Sequence, residues 1–177
     1  VVQTKNKTML YDTGARFANG GTVAASVVLP WLRYYGIKRL DYLVISHADN
    51  DHIGGLDDVM NAVEVVEIHT SVEKIWGDTV FDCSKLSPFT VDGVRMEYLN
   101  TGKRYESANN QSCVLKLTAP GGSFLLNGDI EKLPEGDLVE TYQEQLNSDV
   151  MLVPHHGSKT SSRPVFVDAV APRDVVI

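Results

Sequence analysis

The sequence predicts an α/β (α+β) fold of two packed sheets with helices on the outside, and three observations predict it. Short apolar runs of strand length dominate the chain, helical patterns interrupt them, and clusters of polar residues fall at the C-terminal ends of the strands.

Taken in order, MLYDTG is a strand that runs into a turn at Gly14. Residues 26–35 read as a helix stopped by Gly36, with Pro30 tolerated near its first turn. LDYLVIS is a continuous apolar run, as expected of a strand buried on both faces, and it delivers the chain into HADNDH. GGLDDVMNAV opens a second helix, with Asp57 and Asp58 in the first turn where the helix dipole favours acids. Thereafter VEVVEIHT, VRMEYLN, CVLKLTA, GSFLLNGD and SDVMLVPHH read as strands, separated by turn signals at Asp92-Gly93, Pro120-Gly121-Gly122 and Pro134. A helical stretch, LVETYQEQL, lies between Gly128 and Asp149.

At 177 residues the chain has the length of one domain, 1–177, and its 43% apolar content excludes global disorder. The 16 basic and 23 acidic residues give 16 − 23 = −7, which argues against gripping nucleic acid by bulk charge. Bound cations could still supply positive charge locally. The longest apolar stretch, 23–32, is interrupted by Ser26 and Pro30 and falls short of the roughly 20 residues a membrane span needs. No leader-peptide pattern opens the chain. Strand-like runs stand at both ends (Val1, Val2 and Asp174 to Ile177), so the sequence reads as a fragment of a larger protein. Cys83 and Cys113 lack the CxxC spacing of a structural zinc site. They are either a disulfide, in an oxidising compartment, or two reduced, half-buried thiols; spacing does not decide.

Four residues of metal-ligand type, His47, Asp49, Asp51 and His52, fall within six positions directly after a buried strand. The glycines that follow permit close backbone approach. Two further clusters sit at strand ends: Asp129 in NGD, and His155 and His156 in VPHHGS. His69 also ends a strand but has no ligand-type neighbours, and reads as structural.

HADNDH resembles the HxHxDH signature of the metallo-β-lactamase fold, an αββα sandwich, with Asp49 where a second histidine is usual. In that likeness Asp129 matches the metal-bridging aspartate, and the HHGS histidines match the last ligand motif. Asp12 in LYDTG matches an aspartate that supports the ligand loop from behind. The place of the third-motif histidine falls to Asn110 in NNQSCVLKL, as a weak amide ligand or none. Beyond the superfamily, VLPWLRYYGIKRLDYLVISHADNDHIGG, NNQSCVL, NGD and VPHHGSKTSS together resemble the C-terminal soluble domain of the ComEC family of competence DNA-uptake proteins. The likeness covers nearly the whole chain.

The resemblance implies a ligand set of two halves. His47 and Asp49, with or without Asn110, would hold one ion, Asp51, His52 and His155 the other, with Asp129 between. His155 is preferred to His156 because it directly follows its strand. Oxygen-rich ligands favour Mn²⁺, with Zn²⁺ or Mg²⁺ as alternatives. Two such cations, about 3.5–4 Å apart, would lower the pKa of a shared water, supply hydroxide and clamp a phosphodiester. Asp51 would orient that hydroxide, and His156 would donate a proton to the leaving oxygen or bond the phosphate. Ser158 and Lys159, with Ser161, Ser162 and Arg163 nearby, would contact the nucleic-acid backbone.

The expected function is thus a metal-dependent DNase (phosphodiesterase) degrading one strand during DNA uptake in transformation. The alternatives are a hydrolase of small phosphodiesters or lactones, and an inactive, metal-stabilised module that guides DNA. Expected partners are single-stranded DNA, the rest of the ComEC channel in cis and other competence proteins; no membrane contact is required of this stretch. The likeness also implies an extracytoplasmic location on a polytopic membrane protein, which would favour the Cys83–Cys113 disulfide. Two divalent ions would bring the net charge from −7 to −7 + 4 = −3.

Overall fold

A computed structural model describes residues 1–75 and 77–177. The chain forms two compact units, Val1–Asp82 and Cys83–Ile177.

In the first unit, β1 (Val2–Gln3) and β2 (Thr8–Tyr11) lead through the Asp12–Gly14 turn to a π-helical segment, Ala24–Val28. That segment runs directly into α1 (Leu29–Tyr34), so the first helix starts earlier than the expected residue 26. Pro30 therefore sits inside a longer helical run rather than near its beginning. Proline has no N–H to complete the ladder, and the widened turns immediately before it absorb the mismatch. Gly36 ends the helix with φ +69°, the left-handed conformation that glycine adopts without penalty.

There follow β3 (Arg39–Ile45), α2 (Asn50–Ile53), α3 (Leu56–Ala62), β4 (Glu64–Thr70) and β5 (Val80–Asp82). The sheet order is β1-β2-β3-β4-β5. Only the β1–β2 pair is antiparallel; β2, β3, β4 and β5 pair in parallel. Leu10, Leu43, Ile45 and Ile68 pack with Ala24, Leu29, Leu32 and Val59 from the helices to form the core. Because β2 and β3 are parallel and in register from Met9↔Tyr42 to Tyr11↔Val44, their following loops emerge at one edge. Those loops are DTG and HADNDH.

The second unit holds β6 (Phe89–Val91), β7 (Val94–Tyr98), β8 (Leu115–Ala119), β9 (Gly122–Leu126), α4 (Lys132–Tyr142), β10 (Val150–Leu152), α5 (Pro164–Val170) and β11 (Asp174–Val176). Its sheet runs β11-β10-β9-β8-β7-β6, antiparallel from β6 to β9 and parallel across β9, β10 and β11. Leu125, Met151, Leu138, Leu146, Phe166 and Val170 form its core. Here too a parallel pair, β9 and β10 with Leu125 opposite Met151, brings two ligand-type loops, NGD and VPHHGS, to one edge.

Pro134, expected to mark a turn, lies inside the first turn of α4, where an N–H has no helical partner to lose. The helix anticipated over 138–146 thus begins at Lys132 and tightens into a 3-10 turn over Gln143–Leu146. Neither α5 nor the three-residue strands β5 and β6 follow from periodicity, being too short to show it. Cys83 and Cys113 are joined by a disulfide across 30 residues of the second unit.

Candidate functional site

In the first unit, the loop after β3 does not stay extended. From Asp49 it turns into α2, which carries Asp51 and His52. Gly54 and Gly55 then let it press against the preceding DTG loop. A methyl group on Gly55 would lie 2.6 Å from the Thr13 carbonyl oxygen and collide with the Ala24 side chain. Asn50 ties the same two loops: its Nδ2 donates to the Arg16 carbonyl (3.0 Å) and its Oδ1 accepts the Arg16 N–H (3.3 Å).

Asp12 organises the loop from beneath. It adopts φ +58°, in the left-handed region that Asp tolerates better than most side chains. Its Oδ1 accepts the Ser46 N–H at 2.7 Å; its Oδ2 accepts the Ser46 hydroxyl at 2.8 Å and the His52 Nδ1–H at 2.8 Å. The Ser46 hydroxyl has one hydrogen, and that hydrogen goes to Asp12. The 3.0 Å contact between Ser46 Oγ and His47 Nδ1 is then an Nδ1–H donating to oxygen. Both imidazoles are held as Nδ1–H tautomers, which makes Nε2 the basic nitrogen of each.

Both rings are buried, with centroids 4.1 Å apart. Their Nε2 atoms face carboxylates: His47 lies 3.8 Å from Asp49 Oδ2, and His52 3.7 Å from Asp51 Oδ2. Donors each about 2.1 Å from one ion sit roughly 3–3.5 Å apart. Two imidazoles braced at Nδ1 and two half-exposed carboxylates therefore suit a divalent cation, and the mixed imidazole and carboxylate, thiolate-free set suits a hard or borderline one. Ser46 was not singled out from the sequence. Its position between the strand and the first histidine is the one signal that could have found it.

In the second unit, Asp129 is buried and its backbone N–H donates to Ser112 Oγ at 3.0 Å. His155, His156 and Gly157 follow one another with φ of +49°, +51° and +75°. This left-handed turn brings both histidines to one Asp129 oxygen. Nε2 of His156 lies 3.7 Å from Asp129 Oδ2, and Nε2 of His155 lies 4.0 Å from it. Position after the strand therefore does not separate the two. Their surroundings differ more. The His155 side chain is 26% exposed, with Nδ1 3.2 Å from Thr160 Oγ1 and 3.5 Å from Glu131 Oε1, and Nε2 3.4 Å from Asn109 Nδ2. The His156 side chain is 61% exposed.

Asn110 is occupied in another way than the sequence suggests. Its Oδ1 accepts the Glu131 N–H (2.9 Å) and its Nδ2 donates to Glu131 Oε2 (3.3 Å), so its amide links the segment before β8 to the loop after β9. Asn109, its neighbour, is the amide that reaches the His155 ring.

The loop beyond the histidines is anchored by Glu135, a fully buried carboxylate on α4. It accepts the N–H groups of Ser162 (2.5 Å) and Arg163 (2.9 Å). Burial pushes its pKa above the usual carboxylate range, and those two N–H groups oppose the shift. Ser158 contacts Thr160 through its hydroxyl at 3.0 Å, and Lys159 is exposed. Neither Glu131 nor Glu135 was legible as a site residue, since single acids in a helical stretch carry no spacing signal. His69, read as structural, is buried, bonded to Glu67 Oε2 at 3.1 Å, and packed between Tyr42 and Phe81. Burial lowers its pKa, with Glu67 acting against the shift.

Known proteins resemble this chain at two levels. A competence protein, ComA, of Neisseria gonorrhoeae is 36% identical over 179 residues, which takes in 99% of this chain and 24% of that protein. Recombination protein 2 of Haemophilus influenzae is 34% identical over 179 residues, 100% of this chain and 22% of its own length. The chain thus spans about a quarter of the length of the curated relatives it matches. The likeness to competence proteins carried by the motifs is met by these relatives. Among solved structures, a Cronobacter sakazakii metallo-β-lactamase with a HARLDQ motif superposes with a TM-score of 0.61 at 14% identity, covering 96% of this chain and 82% of that one. At that identity the match speaks for the fold alone, and the fold is that of the metallo-β-lactamases. The metallo-beta-lactamase superfamily model matches residues 1–177 throughout, and the chain belongs to that superfamily.

Proposed function

We propose that this chain is a metal-dependent phosphodiesterase that cleaves DNA, degrading one strand while the other is taken up. The observation that carries this reading is the braced loop of the first unit, where Asp12 and Ser46 fix the tautomer and direction of His47 and His52 beside Asp49 and Asp51. The competence relatives support the choice of DNA over other esters, and the acidic chain supports dependence on bound cations for approach to a phosphate.

In this proposal His47, Asp49, Asp51 and His52 act with Asp129 and His155 as the ligands of two divalent ions, Mn²⁺ foremost. When bound, the ions supply Lewis acidity to a phosphoryl oxygen and lower the pKa of water. Asp12 keeps the His52 Nε2 lone pair in place by holding the proton at Nδ1. Asp51, half exposed, orients the attacking water through Oδ2. His156, the more exposed histidine, holds a proton at Nε2 for the leaving oxygen. Ser158 and Lys159 bind the flanking phosphates. The disulfide supports an extracytoplasmic setting.

The test is incubation of the chain with single-stranded DNA and Mn²⁺. Short products are expected from the wild type and none from Asp51→Ala, with metal uptake followed separately by calorimetry. Wild-type protein that binds metal yet leaves DNA intact would defeat the nuclease reading and favour a guiding module.

A further inference from the structure

The helical run at 24–34 is apolar on two faces, and the core covers only one of them. Ala24, Leu29 and Leu32 are buried and Val28 packs against them. Val27, Pro30, Trp31 and Tyr34 repeat at helical spacing on another face and are exposed, with Tyr35 beside them. Val27 is 59% exposed, Tyr34 83% and Tyr35 57%. A surface helix ordinarily presents charge on its outer side; one that is apolar on both sides has a second partner.

The patch's chemistry narrows that partner. Trp31 and Tyr35 pack at 4.4 Å between centroids, and Tyr34 meets Tyr35 edge-on at 5.0 Å. Arg33 and Lys38 flank this ridge, and neither has an acidic partner among the described residues. Two exposed cations beside the ridge of a chain carrying −7 favour an anionic partner. Trp and Tyr are the side chains that settle at the headgroup level of a bilayer, where Arg and Lys meet anionic lipid.

Single-stranded nucleic acid is the rival anion with affinity for aromatics, but the ridge suits it less. Its rings pack against one another rather than standing as parallel platforms, and its aliphatic members Val27 and Pro30 offer nothing to a base. The aromatic end of the ridge also stands away from the HADNDH loop, although its Val27 end begins one turn beyond Ala24, which packs by Gly55. The 24–34 run ends just before β3 begins at Arg39, and the HADNDH loop follows Ile45 at the strand's far end, roughly 20 Å away by strand rise. An anchor there leaves the ligand loop uncovered.

We propose that the Val27–Pro30–Trp31–Tyr34–Tyr35 ridge, with Arg33 and Lys38, is a docking surface for an anionic lipid bilayer. The attachment is peripheral, since no helix among the described residues is long and apolar enough to cross a membrane. It adds a membrane contact that the sequence alone did not require.

Co-sedimentation with vesicles of phosphatidylcholine and phosphatidylglycerol (3:1), against phosphatidylcholine alone, tests this at low salt. The full chain should partition about tenfold better onto the anionic vesicles. Arg33→Gln with Lys38→Gln should remove that preference. Trp31→Ser with Tyr34→Ser should abolish binding, with an unchanged circular dichroism spectrum as the folding control. The proposal is overturned if neither vesicle binds the wild type, or if the double variants bind as well as it does. It is equally overturned if the aromatic variant instead loses binding to a single-stranded oligonucleotide or loses self-association in sedimentation velocity.

Discussion

The HADNDH loop of the first unit is held by hydrogen bonds to its histidine rings, whereas the histidine loop of the second is held largely through its backbone. In the first, one carboxylate and one hydroxyl, Asp12 and Ser46, set the direction of both His47 and His52. In the second, His155 and His156 reach Asp129 through two successive non-glycine residues with positive φ. Such a turn is strained and persists only where its surroundings over-determine it. Glu135, buried against the Ser162 and Arg163 N–H groups, and the Lys132 N–H on the Thr160 carbonyl (3.0 Å) provide that restraint. One loop is preorganised by hydrogen bonds to its histidine rings, the other by the scaffold beneath them.

The disulfide gives the largest expected difference between the units. Cys83 and Cys113 close a loop of 30 residues, which by chain entropy contributes about 3–4 kcal/mol. A Cys83→Ser, Cys113→Ser variant should melt well below the wild type by calorimetry, and reductant should reproduce the loss. Equal melting would mean that the second unit does not lean on its cross-link.

Gly55→Ala strikes the first unit's framework instead. Its methyl meets the Thr13 carbonyl and Ala24, so about 2–3 kcal/mol of stability should be lost, measured by urea denaturation. A silent substitution would show that the two loops are not pressed together as described.

Asp12→Asn probes the brace itself. The amide has one acceptor oxygen where the carboxylate has two, so it cannot serve both the Ser46 N–H and the Ser46 Oγ–His52 Nδ1 pair, and the His52 tautomer is no longer fixed. Affinity for Mn²⁺ or Zn²⁺ should drop about 10–100-fold in titration calorimetry, with the fold retained. Unchanged affinity would remove Asp12 from the site.

The smallest effect concerns the second unit's acid stability. The Lys103 ammonium, 2.6 Å from Asp137, and the Tyr105 hydroxyl at 2.8 Å hold Asp137 below the usual aspartate range. A depressed folded pKa contributes stability that is complete above the unfolded value, near 3.9, and is lost as pH falls through the folded one. Lys103→Met should therefore leave a shallower dependence of melting temperature on pH below about 4. An identical dependence would mean that this pair is fully screened.

Some of this was legible in the residues. LDYLVIS is apolar on both faces, so a central strand followed from pattern alone, and HADNDH is dense enough in ligand-type residues to mark itself. Gly54 and Gly55 stood where close approach was expected, and Asp12 stood in a motif. What escaped was short or non-local. The π turns before Pro30, α5 and the three-residue strands β5 and β6 have too few residues for a period to emerge. Glu131, Glu135, Asn109 and Thr160 meet the HHGS segment from distant points of the chain, and no spacing records such a meeting.

The sequence by itself determined the superfamily, the order of strands and polar loops and the identity of the candidate cation-holding residues. These are local properties, set by side-chain chemistry and by the two-residue and 3.6-residue periods of strand and helix. Only the tertiary structure decided which ring nitrogen each first-unit histidine presents, that Asn110 binds Glu131, and that His155 and His156 both approach Asp129. Each depends on paired strands bringing remote loops to one edge, parallel for β2/β3 and β9/β10 and antiparallel for β8/β9, and on distances of a few ångströms that a linear order of residues does not specify.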